Sequence, residues 1–219
     1  MFSQSSQVGG GVSQYFAIHP THPQSRLIDR ACKIIQEGGV VVYPTDSAYA
    51  IGCKIGEADA LAQIRHIRQL PDDHLFTLMC RDLSEISTYA VVNNQAFRLL
   101  KAHTPGPYTF ILPATREVPR RLQHPKRKTI GLRVPEHPIT LALLATLDEP
   151  LLSASLILPD QEWAMSDPEE IREVLERQVD LIIDGGHCIP ESTTVVDLVT
   201  DVPTIVRVGR GDPSLLELS

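Results

Sequence analysis

The chain has 219 residues, enough for one large domain with a sizeable core, and its 42% hydrophobic and 21% charged content is that of an ordinary globular protein. No apolar run approaches the roughly 18 residues of a membrane span, and the first fifteen residues lack the basic and apolar regions of a signal peptide. A net charge of −7 speaks against a broad nucleic-acid surface.

In chain order, residues 1–15 read as a Ser/Gln/Gly tail and residues 16–210 as one domain, with a second tail over 211–219. From Ser25, the apolar residues Leu27, Ile28, Ala31, Cys32, Ile34 and Ile35 recur on one helical face. Ser25 is placed to cap this helix, and Gly38-Gly39 stops it. Residues 40–43 then read as a buried strand ended by Pro44. A second helix is expected over 58–69 and a short strand over 75–79. The same grammar continues with a helix at 94–101, strands at 108–112 and 130–134, and a helix over 138–147 that begins on proline. A strand closes at 151–153, and Ser166 with Glu169 predicts a capping box before a helix at 170–178. Three strands, 181–183, 194–198 and 204–208, finish the chain. Strands alternate with helices early and follow one another late, which predicts a twisted mixed sheet of parallel and antiparallel strands with flanking helices.

Four cysteines (Cys32, Cys53, Cys80 and Cys188) show no paired spacing, which points to a reducing compartment and a cytoplasmic protein. Charge is uneven. Residues 116–133 hold seven Arg or Lys against Glu117, while 159–180 hold eight acids against Arg172 and Arg177. The basic segment reads either as the footprint of an anionic ligand or as a solvated loop. Trp163, in the acidic stretch, reads as packing.

Familiar nucleotide-binding, hydrolase and zinc signatures are absent from the sequence. Three segments are placed for chemistry. Tyr43-Pro44-Thr45-Asp46-Ser47 puts hydroxyls and a carboxylate at a strand end, either as ligand groups or as an Asx-turn at Asp46. Thr104-Pro105-Gly106-Pro107-Tyr108-Thr109 is a rigid corner into a strand. Ser153-Ala154-Ser155 points two hydroxyls to one side if its strand continues.

Together these segments resemble, in order, the motifs of the YrdC-like (threonylcarbamoyl-AMP synthase) superfamily. YPTDSAYAIGC at 43–53 resembles its YPTDTxYGLGC opening, and TPGPYTFIL at 104–112 its PGPLT motif. GLRVPEHPI at 131–139 matches G-x-R-x-P-x-H-P, Thr193-Thr194-Val195-Val196-Asp197 resembles S-T-V-V-D, and Ile205-Val206-Arg207-Val208-Gly209 resembles I-x-R-x-G. Five motifs in register span about residues 25–210. The family's K-x-R stands here as Arg68-Gln69-Leu70 and its S-x-N as Ser153-Ala154-Ser155. These departures, with the run RQLPDDHLFTLMCRDLSE, resemble the YciO branch.

The resemblance implies a twisted mixed sheet around a basic concave cavity. It implies a nucleotidyltransferase that makes threonylcarbamoyl-AMP and pyrophosphate from ATP, L-threonine and bicarbonate, with Mg²⁺ accompanying ATP, for the N6-threonylcarbamoyl modification of tRNA. Nucleotide contacts would fall to Arg68, Ser153, Ser155, Thr193 and Arg207, and threonine to Thr45. Arg121, Lys126, Arg127, Lys128 and Arg133 would form a basic rim, and no motif supplies protein ligands for a metal. The alternative is a double-stranded RNA-binding protein that uses the same cavity without efficient synthesis; a third reading is a nucleotide or carboxylated amino acid sensor.

Overall fold

The computed structural model describes residues 11–71 and 74–216; residues 1–10 of the expected tail, Asp72 and Asp73 of the branch-like run, and 217–219 lie outside the described residues. Ten strands form one sheet: β1 (Gln14–Ala17), β2 (Val41–Tyr43), β3 (Ala50–Lys54), β4 (Thr77–Met79), β5 (Tyr108–Pro113), β6 (Thr129–Arg133), β7 (Leu151–Ser155), β8 (Leu181–Asp184), β9 (Thr194–Asp197) and β10 (Thr204–Arg207). Their spatial order is β1-β8-β2-β3-β7-β4-β6-β5-β9-β10. The pairs β1/β8, β2/β8, β4/β6 and β5/β9 are parallel, and the other five are antiparallel. The mixed sheet expected from the element order is what forms. Six helices flank it: α1 (Ser25–Gln36), α2 (Ala58–Arg68), α3 (Leu83–Tyr89), α4 (Asn94–His103), α5 (Pro138–Leu147) and α6 (Pro168–Leu175).

Strand alternation sorts the apolar side chains onto two faces. Val42, Ile51, Leu78, Phe110, Leu132, Leu152 and Val196 point to one face and pack with apolar residues of α2, α3, α4 and α6. Val41, Tyr43, Met79, Leu151, Leu181 and Ile183 point to the other, where they meet Ile28, Ala31, Cys32 and Ile35 of α1 and Ile139, Leu143, Leu144 and Leu147 of α5. The first cluster runs across the whole sheet, whereas the second stops at Met79 and Leu151. Beyond it the same face carries Thr77, Ser153, Thr109 and Arg133 in place of apolar groups.

Several local expectations change. Gln14 and Tyr15, expected in the tail, belong to β1, where Tyr15 donates to Asp184 Oδ2 at 2.8 Å. Gln24 rather than Ser25 occupies the N-cap of α1, and no side chain caps that end. Asp167, not Ser166, caps α6, its carboxylate accepting from the Glu169 backbone N–H at 2.9 Å; the helix starts at Pro168 and ends at Leu175. β3 and α3 have no counterpart among the sequence expectations. β3 is interrupted in composition by Gly52, and α3 is short and rich in Ser and Thr. A capping signal was nevertheless present in α3: Asp82 accepts from Glu85 N at 2.9 Å, and Glu85 Oε2 accepts from Arg81 N at 2.6 Å.

Leu143 is fully buried between α5 and α1. Leu143→Ala is expected to cost about 2–5 kcal/mol, read as a lower urea midpoint.

Candidate functional site

Where the α1/α5 layer ends, the polar half of the face forms a cavity of about 250 Å³. Its floor is built from register. Ser153 on β7 lies opposite Thr77 on β4, Thr77 opposite Gly131 on β6, and Gly131 opposite Ile111 on β5. Two residue pairs further along these strands, on the same face, Met79 lies opposite Arg133. Gly131 keeps the floor low, since a Cβ there would sit 3.1 Å from Thr77 Oγ1.

Five sequence-predicted nucleotide residues, Arg68, Ser153, Ser155, Thr193 and Arg207, all line this one cavity. They arrive from α2, β7, the loop before β9, and β10. Arg68 Nε donates to the Ile157 carbonyl at 2.7 Å, and burial pushes its guanidinium down to about 10, still cationic at neutral pH. Arg207 donates from Nε and Nη2 to the Thr193 carbonyl at 3.2 and 3.0 Å. Neither guanidinium forms an ion pair with a carboxylate among the described residues. Thr193 Oγ1 also lies 2.8 Å from Thr109 Oγ1, which joins β5 to the same rim.

At the strand end after β2, Thr45 is buried and holds the turn. Its hydroxyl donates to the Ala48 carbonyl at 2.6 Å and accepts from the Ser47 backbone N–H at 3.1 Å. The turn at this corner is therefore made by Thr45, and Asp46 is not the Asx-turn residue. Asp46 instead forms an ion pair with Arg133, with side chains only 8% and 6% exposed. Arg133 Nη1 also donates to Ser47 Oγ at 3.2 Å. Expected on the rim, Arg133 is a buried cavity residue that fixes the Thr45–Ser47 turn. Asp46 Oδ2 and Arg133 Nε have no hydrogen-bond partner among the described residues.

The other rim residues do not line the cavity. Arg121 donates to the Gly56 carbonyl at 2.8 Å, Arg127 pairs with Asp197, and Lys128 donates to the Pro125 carbonyl at 2.7 Å. Lys126 is exposed. Trp163 is 66% exposed and not packed as expected, because the loop after β7 carries it outward. Leu70 does not line the cavity and packs against the main core cluster, which leaves Arg68 as the α2 arginine that lines it. Ser47 and Thr109 lay in segments singled out from the sequence but were given no role there, and Thr77 and Thr129 were missed altogether. Their signal was hydroxyls spaced two apart or at the ends of otherwise apolar strands.

Among the described residues no three or more His, Cys, Asp or Glu side chains converge to hold a metal, and no helix is long and apolar enough to cross a membrane. All four cysteines are free.

The family profile Sua5/YciO/YrdC, described as "Telomere recombination", matches residues 33–209. The Escherichia coli K12 protein YciO, itself uncharacterized, is 62% identical over 201 residues, covering 92% of this chain and 98% of its own. A threonylcarbamoyl-AMP synthase of Chromobacterium violaceum is 36% identical over 137 residues, or 62% of this chain and 70% of the relative. The crystal structure of E. coli YciO superposes with a TM-score of 0.88, covering 91% of this chain and 97% of that one. Pyrococcus abyssi Sua5 complexed with L-threonine, 24% identical, shares the fold with a TM-score of 0.87 over 94% of this chain and 60% of its own.

Removing one member of a buried ion pair strands the other charge. Asp46→Ala is expected to cost about 3–5 kcal/mol in urea unfolding. Asp46→Ala with Arg133→Met is expected to recover much of that loss, because it removes both charges.

Proposed function

The chain belongs to the Sua5/YciO/YrdC family, and we propose that it condenses L-threonine, bicarbonate and ATP into threonylcarbamoyl-AMP and pyrophosphate. The observation that carries this reading is the pair of guanidiniums, Arg68 and Arg207, that face a hydroxyl-lined cavity without a carboxylate partner. Arg68 is partly buried, where a cation without a counter-charge is costly unless an anion joins it, and the more exposed Arg207 stands at the cavity edge, open to the same anion. The name of the Chromobacterium violaceum relative and the L-threonine in Pyrococcus abyssi Sua5 say which anions and which amino acid to test first.

The reaction brings anions together. The threonine amine takes up bicarbonate with loss of water, giving a carbamate. A carbamate oxygen then attacks the α-phosphorus of ATP, the new O–P bond forms, and the bond to the departing pyrophosphate breaks. Pyrophosphate leaves with the electron pair. Arg68 and Arg207 would offset the repulsion between carbamate and triphosphate, while the Ser153, Ser155 and Thr193 hydroxyls would orient phosphate oxygens. Thr45 is buried behind the cavity lining and, held with Ser47 and Arg133, would act on the amino acid by fixing the turn that presents Ser47. No side chain needs to become acylated. With no converging acidic ligands among the described residues, Mg²⁺ would enter on the triphosphate and supply charge neutralisation there. The product would serve the threonylcarbamoyl modification of tRNA.

The RNA-binding reading draws less support. Arg133 is buried, Arg127 is paired with Asp197, and Arg121 and Lys128 donate to the Gly56 and Pro125 carbonyls.

Pyrophosphate release by the purified protein is expected to require all three substrates. Arg207→Ala and Arg68→Ala are each expected to lower kcat/KM by about 10–100-fold, the worth of one charge-assisted contact. Release independent of L-threonine, or wild-type rates in both variants, would contradict the reading.

A further inference from the structure

The Tyr43 phenol is fully buried at the end of β2, yet its hydroxyl reaches across β3 to a residue of β7. It donates to Ser153 Oγ at 2.7 Å. The reach depends on Gly52, which lies on β3 opposite Ser153. A Cβ at Gly52 would stand 3.2 Å from Tyr43 Cε1 and 3.4 Å from the phenol oxygen, as well as 2.6 Å from the Leu152 carbonyl. Glycine in the middle of a strand therefore serves the passage of an aromatic ring.

The direction of this hydrogen bond follows from accounting. A buried phenol O–H must find an acceptor, and Ser153 Oγ is the one hydrogen-bond partner of Tyr43's hydroxyl among the described residues. Were Ser153 the donor, the phenol proton would be stranded in the core without an acceptor, which a buried polar group does not tolerate cheaply. Burial raises the phenol well above its ordinary range, which keeps it protonated. Ser153 Oγ thus accepts from Tyr43, and its own proton has no acceptor among the described side chains. Ser153 is 3% exposed and lines the cavity, so that proton is aimed at whatever occupies it.

We infer that Tyr43 is a positioning residue that locks the Ser153 hydroxyl as a donor toward an anionic ligand oxygen, a phosphate or carboxylate oxygen of the substrate. The inference rests on the anion-binding reading of the cavity given above and names a residue outside the cavity lining through which that site is set. Free of Tyr43, the Ser153 hydroxyl would rotate without constraint and could present lone pairs to the ligand, which repel an anion.

The test is a double-mutant cycle on ATP affinity, measured by titration calorimetry on the full chain with Mg²⁺ present. The variants are Tyr43→Phe, Ser153→Ala and the two together. Tyr43→Phe is expected to weaken ATP binding about five-fold and Ser153→Ala about ten-fold, with the double variant no weaker than Ser153→Ala alone, because Tyr43 acts only through Ser153. Multiplying effects, as a general packing role would give, or an unchanged affinity in Tyr43→Phe would overturn the inference while leaving the anion-binding reading intact. Failure of the wild-type chain to bind ATP would overturn both. If Tyr43→Phe does not fold, fluorotyrosine at position 43, which keeps the ring and strengthens the donor, is expected to tighten ATP binding in wild type but not in Ser153→Ala. Equal shifts in the two backgrounds would overturn the inference.

Discussion

Two helices cannot cover one face of a ten-stranded sheet. α1 and α5 pack over the half built around β8, β2 and β3, and their apolar cluster stops at Met79 and Leu151. The rest of that face must be solvated or filled by a ligand. The sequence meets this constraint by changing side-chain type at alternate positions of strands whose other residues remain core. Leu132 and Leu152 stay fully or almost fully buried on the covered face, while Arg133, Gly131 and Ser153 turn to the open one. The cavity is the unfilled remainder of a helical layer, and its chemistry follows from the residues that replace the layer.

Once the face is open, its cations need anchoring. Arg133 is the most buried of the three lining arginines and has a built-in counter-ion, Asp46, with which it holds the Thr45–Ser47 turn. Among the described residues Arg68 is held by a backbone carbonyl and Arg207 by a backbone carbonyl and the Thr193 hydroxyl, neutral groups that orient a guanidinium without neutralising it. That division separates a cation with a built-in carboxylate partner from two that have none among the described residues. It also gives the Arg68-Gln69-Leu70 departure a physical meaning. Gln69 takes the left-handed conformation that ends α2, and Leu70 then joins the core, so a single cation faces the cavity from this segment.

Much of the fold was legible because its strands are short apolar runs bounded by Pro, Gly and Asp, and its longer helices are amphipathic. α5 was placed at its observed ends because proline opens it and a continuous apolar stretch fills it. β3 was not legible, since Gly52 resembles a turn residue until the crossing Tyr43 ring is known. β1 was hidden by the Gly-rich stretch before it, and gains strand geometry only by pairing with β8, some 167 positions later in register. The site was readable where motifs lie within one segment, as with Ser153 and Ser155. The Asp46–Arg133 pair, 87 positions apart, and the reach of Tyr43 to Ser153, 110 positions apart, are products of sheet order that local spacing does not encode. The basic segment misled for a related reason: charge counts do not show that Arg127 already has Asp197 as a partner or that Arg133 is buried.

The central claim is that this half-open face assembles an acyl-adenylate from three small molecules. The most direct measurement is transfer of label from [¹⁴C]bicarbonate into a nucleotide product, resolved chromatographically after incubation with ATP, Mg²⁺ and L-threonine. The account predicts a labelled adenylate that forms only when threonine is present and disappears in an Arg207→Ala, Arg68→Ala double variant that stays folded. Absence of any labelled adenylate from folded wild-type protein, under conditions where a threonylcarbamoyl-AMP synthase yields one, would contradict it.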